Sequence, residues 1–353
     1  MTELYDASEL IGFAVALLRA ADMEPKQAEV VAPLLVEADL MGHTTHGLQL
    51  LGGYLGALEE GGMRGQGEPE VVSDRGAVVV WDGHYLSGVW LTARAIDLAV
   101  ERSGQYGSCT LSLRRSHHIA CLAAFLERAT ARGRMIILAS SDPANSGVAP
   151  FGGRRQLYTP NPIAIGIPTE DEPILIDISA SITTLGLCTR LNAEGRRLEH
   201  PWLLDAEGRP SDDPAVMFAE PAGSIQPTGG LDHGHKGYGL ALMIEALTQG
   251  LSGFGRADGV SEWGAAVYVQ VLDPEAFAGQ APFMQQTTWL AQACRANPPA
   301  LGIAAVRLPG QRALERKRQA LAAGVELYPG ILESLSERAD RAAISLPRPI
   351  SPK

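Results

Sequence analysis

The chain has 353 residues, 46% of them hydrophobic, and a formal net charge of −11. Such a length supports a large core divided among two or three lobes. The acidic balance argues against nucleic acid and anionic membranes, which need a basic face, so the expected partners are a small molecule and a second copy of the chain. Cys109, Cys121, Cys188 and Cys294 form no CxxC pair, and the opening MTELYDASEL lacks the basic and apolar parts of a signal peptide. Reduced thiols in a cytoplasmic protein are expected. The longest apolar stretches fall short of the roughly 18 residues a membrane span needs.

Residues 8–22 and 27–41 carry apolar side chains at helical spacing, the first opened by an N-cap at Asp6 or Ser8, the second expected to kink at Pro33. A third helix near 51–60 precedes a glycine-rich turn, the strand-like GAVVVWDG and a long helical pattern over 87–103. Strands are predicted at 108–113, 134–140, 163–168 and 174–179, with a helix at 119–131. Residues 180–232 read as irregular connections before a helix at 237–252, a strand at 265–272, and helices near 282–295, 311–323 and 328–338. These elements describe an α/β core, 76–232, completed by 233–281 and flanked by a helical lobe from residues 1–75 and 282–345. Residues 346–353 are expected to be a disordered tail.

Three constellations could carry chemistry. GHTTHG at 42–47 sets His43 and His46 three residues apart between helices, with Thr45 beside His46. Histidine suits proton transfer near neutral pH, although a lone histidine also serves to cap a helix or fill a turn. RRSHHIA at 114–120 lies where a strand gives way to a helix, so His117 and His118 point opposite ways in extended backbone and the free amides of the helix suit an anion. GGLDHGHKGYG carries His233, His235 and Lys236 on a glycine-rich loop running into an apolar helix, which makes either an anion cradle or a solvated loop. No GxGxxG follows a strand, so a Rossmann domain is not expected, and GxxxxGK[ST] is absent. Six of the eight histidines fall in these three groups, but the only carboxylate close to one of them in sequence is Asp232, and no metal is expected.

These segments together resemble the type 2 malate/L-lactate dehydrogenase family, which includes ureidoglycolate, sulfolactate and diketogulonate enzymes and the cyclic-imine reductases. The resemblance spans nearly the whole chain: AD-x-x-GH-x-x-HG at 38–47, S-x-H at 116–118, VAPFGGR at 148–154, NP-x-A-x-x-x-P at 161–168, D-x-x-x-S at 177–181 and GHKGYGLALM at 234–243. The doublet in SHHIA is most similar to the branch that reduces piperideine carboxylate. The resemblance implies a non-Rossmann α/β fold, a homodimer, and hydride transfer between NAD or NADP and a C=O or C=N carbon. It further implies that His46 with Thr45 handles the proton, with His118 as the other candidate. Cofactor contacts would map to His118, Ile119, Ala120, Cys121, Leu122, Ser141, Asp177, Ile178, Ser179, His235, Lys236, Arg307, Pro309, Gly310 and Arg312.

The substrate pocket departs from the family pattern. An arginine that in relatives grips the substrate carboxylate is replaced by Leu50, a Lys or Asp by Leu187, and TNP by PNP with Thr159 and Pro160. A pocket lined by Leu48, Leu50, Thr159, Pro160 and Leu187 should serve pyruvate and oxaloacetate poorly, with Arg190 the cation within reach of the missing role. The alternative function is a family member that has lost ordinary reductase turnover and uses the pocket for binding or a non-redox conversion.

Overall fold

The computed structural model describes residues 3–350. A short strand β1 (Leu4–Tyr5) precedes helices α1 (Ala7–Ala20), α2 (Pro25–Leu40) and α3 (Leu51–Glu59). Strands β2 (Glu70–Asp74) and β3 (Val78–Asp82) lead through α4 (Gly88–Tyr106) to β4 (Ser108–Ser116). Next come α5 (Ala123–Thr130), β5 (Met135–Ser141), β6 (Pro162–Ile167), β7 (Ile174–Ser179) and α6 (Leu185–Ala193). The connection that follows holds three two-residue strands, β8 (Leu203–Leu204), β9 (Pro210–Ser211) and β10 (Ser224–Ile225). The chain ends with α7 (Gly230–Glu245), β11 (Ala265–Leu272), α8 (Gln280–Ala296), α9 (Gln311–Ala323), β12 (Val325–Glu326) and α10 (Ile331–Arg341).

Seven strands form one sheet in the order β2-β3-β4-β11-β5-β6-β7. Only β3 and β4 are parallel, joined through α4, and every other neighbouring pair is antiparallel. A doubly wound nucleotide-binding sheet is mostly parallel, so a sheet with one parallel pair agrees with the missing glycine fingerprint. The fold is mixed α/β and non-Rossmann.

Sequence pattern dictates the helices that pack on this sheet. Asp6 caps α1 by accepting the Ser8 amide at 2.8 Å, and Leu10, Phe13, Ala14, Leu17 and Leu18 bury one stripe. Each of the leucines and the phenylalanine contributes about 1.5–3 kcal/mol when fully covered. α2 is buried on most sides and its helical assignment runs unbroken through Pro33. Buried residues of α1 to α5, β4, β11 and α10 join in one core, while Tyr158, Ala180, Cys188, Leu191, Ile225, Ala241, Ile244 and Tyr268 make a second.

Four expectations are corrected. Residues 180–232, expected as irregular connections, contain the helix α6, opened by the Thr184 side chain accepting the Leu187 amide. The helix expected from residue 119 begins at Ala123, because Ala120 takes a left-handed φ of 58° that no α-helix tolerates. The loop around His233 and Lys236 is already helix from Gly230, kinked at His233. Residues 346–350 of the expected tail run along β1: Pro349 bridges Tyr5 and the Ile350 amide donates to Leu4 O at 2.7 Å. Residues 351–353 lie outside the described residues.

Candidate active site

The turn after α2 is built around Asp39, buried to 5% exposure. Its Oδ2 accepts the Leu48 amide at 2.7 Å, and a Cβ at Gly47 would lie 2.3 Å from Oδ1, so only glycine lets the carboxylate cross the loop there. Oδ1 has no partner, and burial pushes the Asp39 carboxyl up to about 7, opposed by the Leu48 amide. The loop so anchored presents His43 to His46, with a turn closed by His46 N donating to His43 O at 2.8 Å. Thr45 Oγ1 stands 2.8 Å from His46 Nδ1.

The end of β4 supplies the second imidazole. His117 turns inward, 1% exposed, edge-on to Trp263 at 4.6 Å and Tyr54 at 5.5 Å, its Nδ1 without a partner. The His118 ring, expected to point the opposite way, packs against the same two rings, 5.3 Å from Trp263 and 6.1 Å from Tyr54, its Nδ1 2.9 Å from the Tyr54 hydroxyl and accepting the Ala120 amide at 3.2 Å. Because Nδ1 accepts an amide proton, the neutral ring of His118 carries its own proton on Nε2. The His46 and His118 rings stack with centroids 6.2 Å apart. Burial holds His46 down to about 4 and His118 to about 3, helped in each case by a neighbouring histidine. His117 is held down to about 4 by burial alone.

Beside this pair, His43, Cys121 and Asp177 bring a nitrogen, a sulfur and an oxygen within 4.8 Å of one another, a set of donors that could hold a metal ion. Asp177 Oδ2 also accepts the Ala123 amide at 2.9 Å, so the first turn of α5, expected to receive an anion, already faces the chain's own carboxylate. Burial raises the Asp177 carboxyl, opposed by His43, and raises the Cys121 thiol, reinforced by Asp177. The thiol is therefore protonated and inert at neutral pH.

From the opposite core, α6 closes on the loop: Thr184 caps it by accepting the Leu187 amide at 3.2 Å, and a Cβ at Gly186 would lie 3.9 Å from Thr45 Cβ. Arg190 reaches Thr44 and Gln49 on either side of His46. The site thus sits where the two cores meet.

The other expected residues are spread more widely. Ile119, Ala120, Cys121 and Leu122 are buried in the main core, and so is Leu48 at 1% exposure, which places its side chain in packing rather than in a pocket. Leu50 and Leu187 are half-buried. Ser141 donates to Glu245 at 2.7 Å and accepts from Gln249, while Glu245 also takes Asn161 and Arg256, and Thr159 donates to Asn161 at 2.9 Å. Pro160 O accepts the Ala180 amide at 2.9 Å. Ser179 Oγ donates to Ser181 O, and Ile178 is exposed. Pro309 O accepts the Leu175 amide at 3.3 Å, which sets Gly310 against β7 two residues from Asp177, with Arg307 and Arg312 exposed at the surface. His235 and Lys236 are exposed on α7, His235 edge-on to Phe151 at 5.9 Å, and neither touches the imidazole pair.

Sequence reasoning missed Tyr54, Trp263, Asp39 and Arg316. Arg316 packs so tightly over Gly42 that a Cβ there would lie 2.5 Å from its Nη1. Asp39 had a signal, a charge inside the apolar run ADLMG, whereas Tyr54 and Trp263 meet His118 only through long-range packing.

The family description malate/L-lactate dehydrogenase matches residues 5–336. The chain is 30% identical over 339 residues to an L-lactate dehydrogenase of Cupriavidus necator, covering 94% of this chain and 95% of that one. It is 31% identical over 326 residues to a Δ1-pyrroline-2-carboxylate/Δ1-piperideine-2-carboxylate reductase of Pseudomonas syringae pv. tomato, covering 89% and 90%. The solved malate dehydrogenase of Entamoeba histolytica superposes with a TM-score of 0.92 at 21% identity over 99% of this chain and 100% of that one, which shows the fold. These relatives define an oxidoreductase of the dehydrogenase and reductase class. The chain belongs to the malate/L-lactate dehydrogenase family, type 2.

Proposed function

We propose that the protein transfers hydride between a nicotinamide cofactor, NAD or NADP, and a C=O or C=N carbon of a small substrate. The observation that carries this reading is the pair of facing imidazoles, each held at Nδ1 by a hydroxyl from a different element, Thr45 for His46 and Tyr54 for His118. Such a pair fixes proton-handling groups without a metal.

The cofactor would be held along the edge where Pro309 and Gly310 meet β7, with Arg307 and Arg312 exposed there for phosphate and Asp177 close by. Neither arginine has a carboxylate within ion-pair distance among the described residues, which suits a phosphate ligand. Bound there, the reduced nicotinamide supplies the hydride. His46 handles the proton. Burial keeps its ring neutral in the free protein, so the proton is taken up with the substrate; the charged ring then donates from Nδ1 to Thr45 Oγ1 and from Nε2 to the substrate's oxygen or nitrogen. His118, locked by Tyr54 and the Ala120 amide, orients substrate and cofactor through its Nε2 proton. Leu50 and Leu187 keep the reacting carbon in an apolar, water-poor setting.

We also infer a cytoplasmic homodimer. All four cysteines are free, and no helix among the described residues is long and apolar enough to cross a membrane. Sedimentation velocity tests the dimer. The test of the function is oxidation of NADH or NADPH with a panel of 2-oxo acids, cyclic imino acids and neutral ketones; failure with every member, together with no cofactor binding, overturns it.

A further inference from the structure

We infer that Arg190 is the specificity-determining residue that receives a carboxylate of the substrate. This inference rests on the hydride-transfer reading only for the identity of the site. Arg190 projects from α6, half-buried, with its guanidinium stacked 3.6 Å from the centroid of the Tyr328 ring. Its terminal nitrogens donate to Thr44 Oγ1 at 3.3 Å and Gln49 Oε1 at 2.7 Å, both neutral, two residues before and three after His46. Its Nε is buried and has no partner.

This is an incomplete environment for a cation. Arg114 and Arg115 share Asp82, Arg128 pairs with Asp97 and Arg256 with Glu245, whereas Arg190 has no carboxylate within ion-pair distance among the described residues. The acid nearest along its helix is Glu194, whose carboxylate is engaged by the Tyr328 hydroxyl and by Arg196. A half-buried charge whose direct partners are both neutral is incompletely compensated, and a guanidinium loses little freedom when a planar oxyanion completes its fork. Tyr328 covers one face of the guanidinium, and the terminal nitrogens meet the loop through Thr44 and Gln49, so an incoming anion completes the fork beside the loop that carries His46. A carboxylate arriving there displaces Gln49 and leaves the Thr44 hydroxyl free to donate to it. The half-buried side chains of Leu50 and Leu187 offer no competing polar contact. The substrate class is therefore a carboxylate-bearing carbonyl or imine whose charge is gripped from α6.

The experiment measures binding of oxalate, and of its neutral diamide oxamide, by calorimetry on the full chain with and without reduced nicotinamide cofactor. The wild type is expected to bind oxalate and to bind oxamide at least about tenfold more weakly. Arg190→Gln should weaken oxalate about thirtyfold or more and leave oxamide unchanged, as loss of a charge-assisted bidentate contact requires. Arg190→Lys, which keeps the charge without the fork, should fall between the two and decides the matter if the glutamine variant does not fold. Oxalate binding that is absent in the wild type, or within twofold in the variants, overturns the inference. If oxalate binding depends on Arg190 but the cofactor neither binds nor is oxidised, the hydride-transfer reading falls and the anion site stands. Turnover of neutral ketones alone, indifferent to Arg190, gives the reverse result.

Discussion

His46 and His118 face each other with ring planes 28° apart, one carried by the loop after α2 and the other by the end of β4. Their Nδ1 atoms are occupied by Thr45 and Tyr54, which leaves both Nε2 atoms for ligands. If His46 is the proton donor, His46→Ala removes about 10²–10⁴-fold of kcat while cofactor affinity changes little, and His118→Ala disturbs both. Stopped-flow turnover and cofactor titration of the two variants measure this. A His46 variant at full rate beside a dead His118 variant reverses the roles.

The same burial sets a pH signature. With His46 held down to about 4 in the free protein, the charged form needed for reduction declines about tenfold per pH unit through neutrality, so kcat/KM for reduction should fall steadily between about pH 6 and 8. The oxidation direction, which needs the neutral ring, should be flat there. A reduction profile that levels off below an apparent value near the ordinary 6.5 of histidine contradicts the desolvated His46.

Stability responds to acid in two opposed ways. His46, His117 and His118 have folded values below the ordinary one, so the unfolded chain binds protons more readily and stability declines as pH falls from about 6.5 toward 4. Asp39, raised to about 7, works oppositely: the folded state favours its neutral form, and that contribution is lost as pH rises from about 4 through 7. Asp39→Asn keeps an oxygen for the Leu48 amide without the charge. Thermal unfolding should show this variant gaining stability relative to the wild type as pH rises from 5 to 8, and an unchanged difference across that range would contradict the buried, raised carboxyl.

Much of the chain was legible from its own pattern. The ranges 174–179, 265–272 and 311–323 agree with β7, β11 and α9 to the residue, because β-branched runs and a periodic charged helix are local signals. β2 was missed, since the exposed EVVSD has no alternation and gains its identity only by pairing with β3. The glycines around His233 read as loop because propensity is local, whereas Gly237 is held within helix by contact so close that a Cβ would lie 2.4 Å from Thr228 N. Within the site, the loop histidines were visible as a motif. Their partners were not: Tyr54 lies 64 residues from His118, and only the fold brings them together.

Lys317 on α9 bridges Glu37 of α2 and Glu127 of α5, at 2.6 Å each. Burial raises the Glu37 carboxyl, and Lys317 opposes that rise, so removing the ammonium leaves two half-buried carboxylates facing each other. Lys317→Met should cost about 1–3 kcal/mol, below the figure for a fully buried pair because all three groups retain some exposure. The loss should shrink as the pH falls and the raised Glu37 carboxyl takes up its proton. Chemical denaturation at pH 5 and 8 measures both, and a pH-independent loss would assign the effect to packing alone.

Lys236 tests whether α7 reaches the cofactor. Its amide lies inside the helix, so only the exposed ammonium can contribute, and Lys236→Ala should weaken reduced cofactor about tenfold to a hundredfold if it meets a phosphate. Unchanged affinity removes Lys236 from the site and leaves Arg307 and Arg312 as the phosphate contacts.

The substrate range follows from what lines the loop. Leu50 and Leu187 are half-buried and apolar, and Arg190 is the cation that donates to the loop residues flanking His46. A short 2-oxo acid has its carboxylate bonded directly to the reacting carbon. With the carbonyl oxygen at His46, that carboxylate would lie against leucine unless the molecule also reached Arg190. An unpaired buried carboxylate costs on the order of 3–5 kcal/mol, equivalent to about two to three and a half orders of magnitude in kcat/KM. Pyruvate should therefore be a poor substrate compared with a carbonyl or imine whose carboxylate stands several bonds from the reacting carbon and spans from His46 to Arg190. Leu50→Arg should raise kcat/KM for pyruvate about tenfold or more while lowering it for the longer substrate by crowding the approach to Arg190. Steady-state kinetics with pyruvate and with a series of oxo acids whose carboxylate stands progressively further from the carbonyl, on the two proteins, measures both effects. Efficient use of pyruvate by the native chain, unimproved by the new arginine, would show that Leu50 does not border the reacting group.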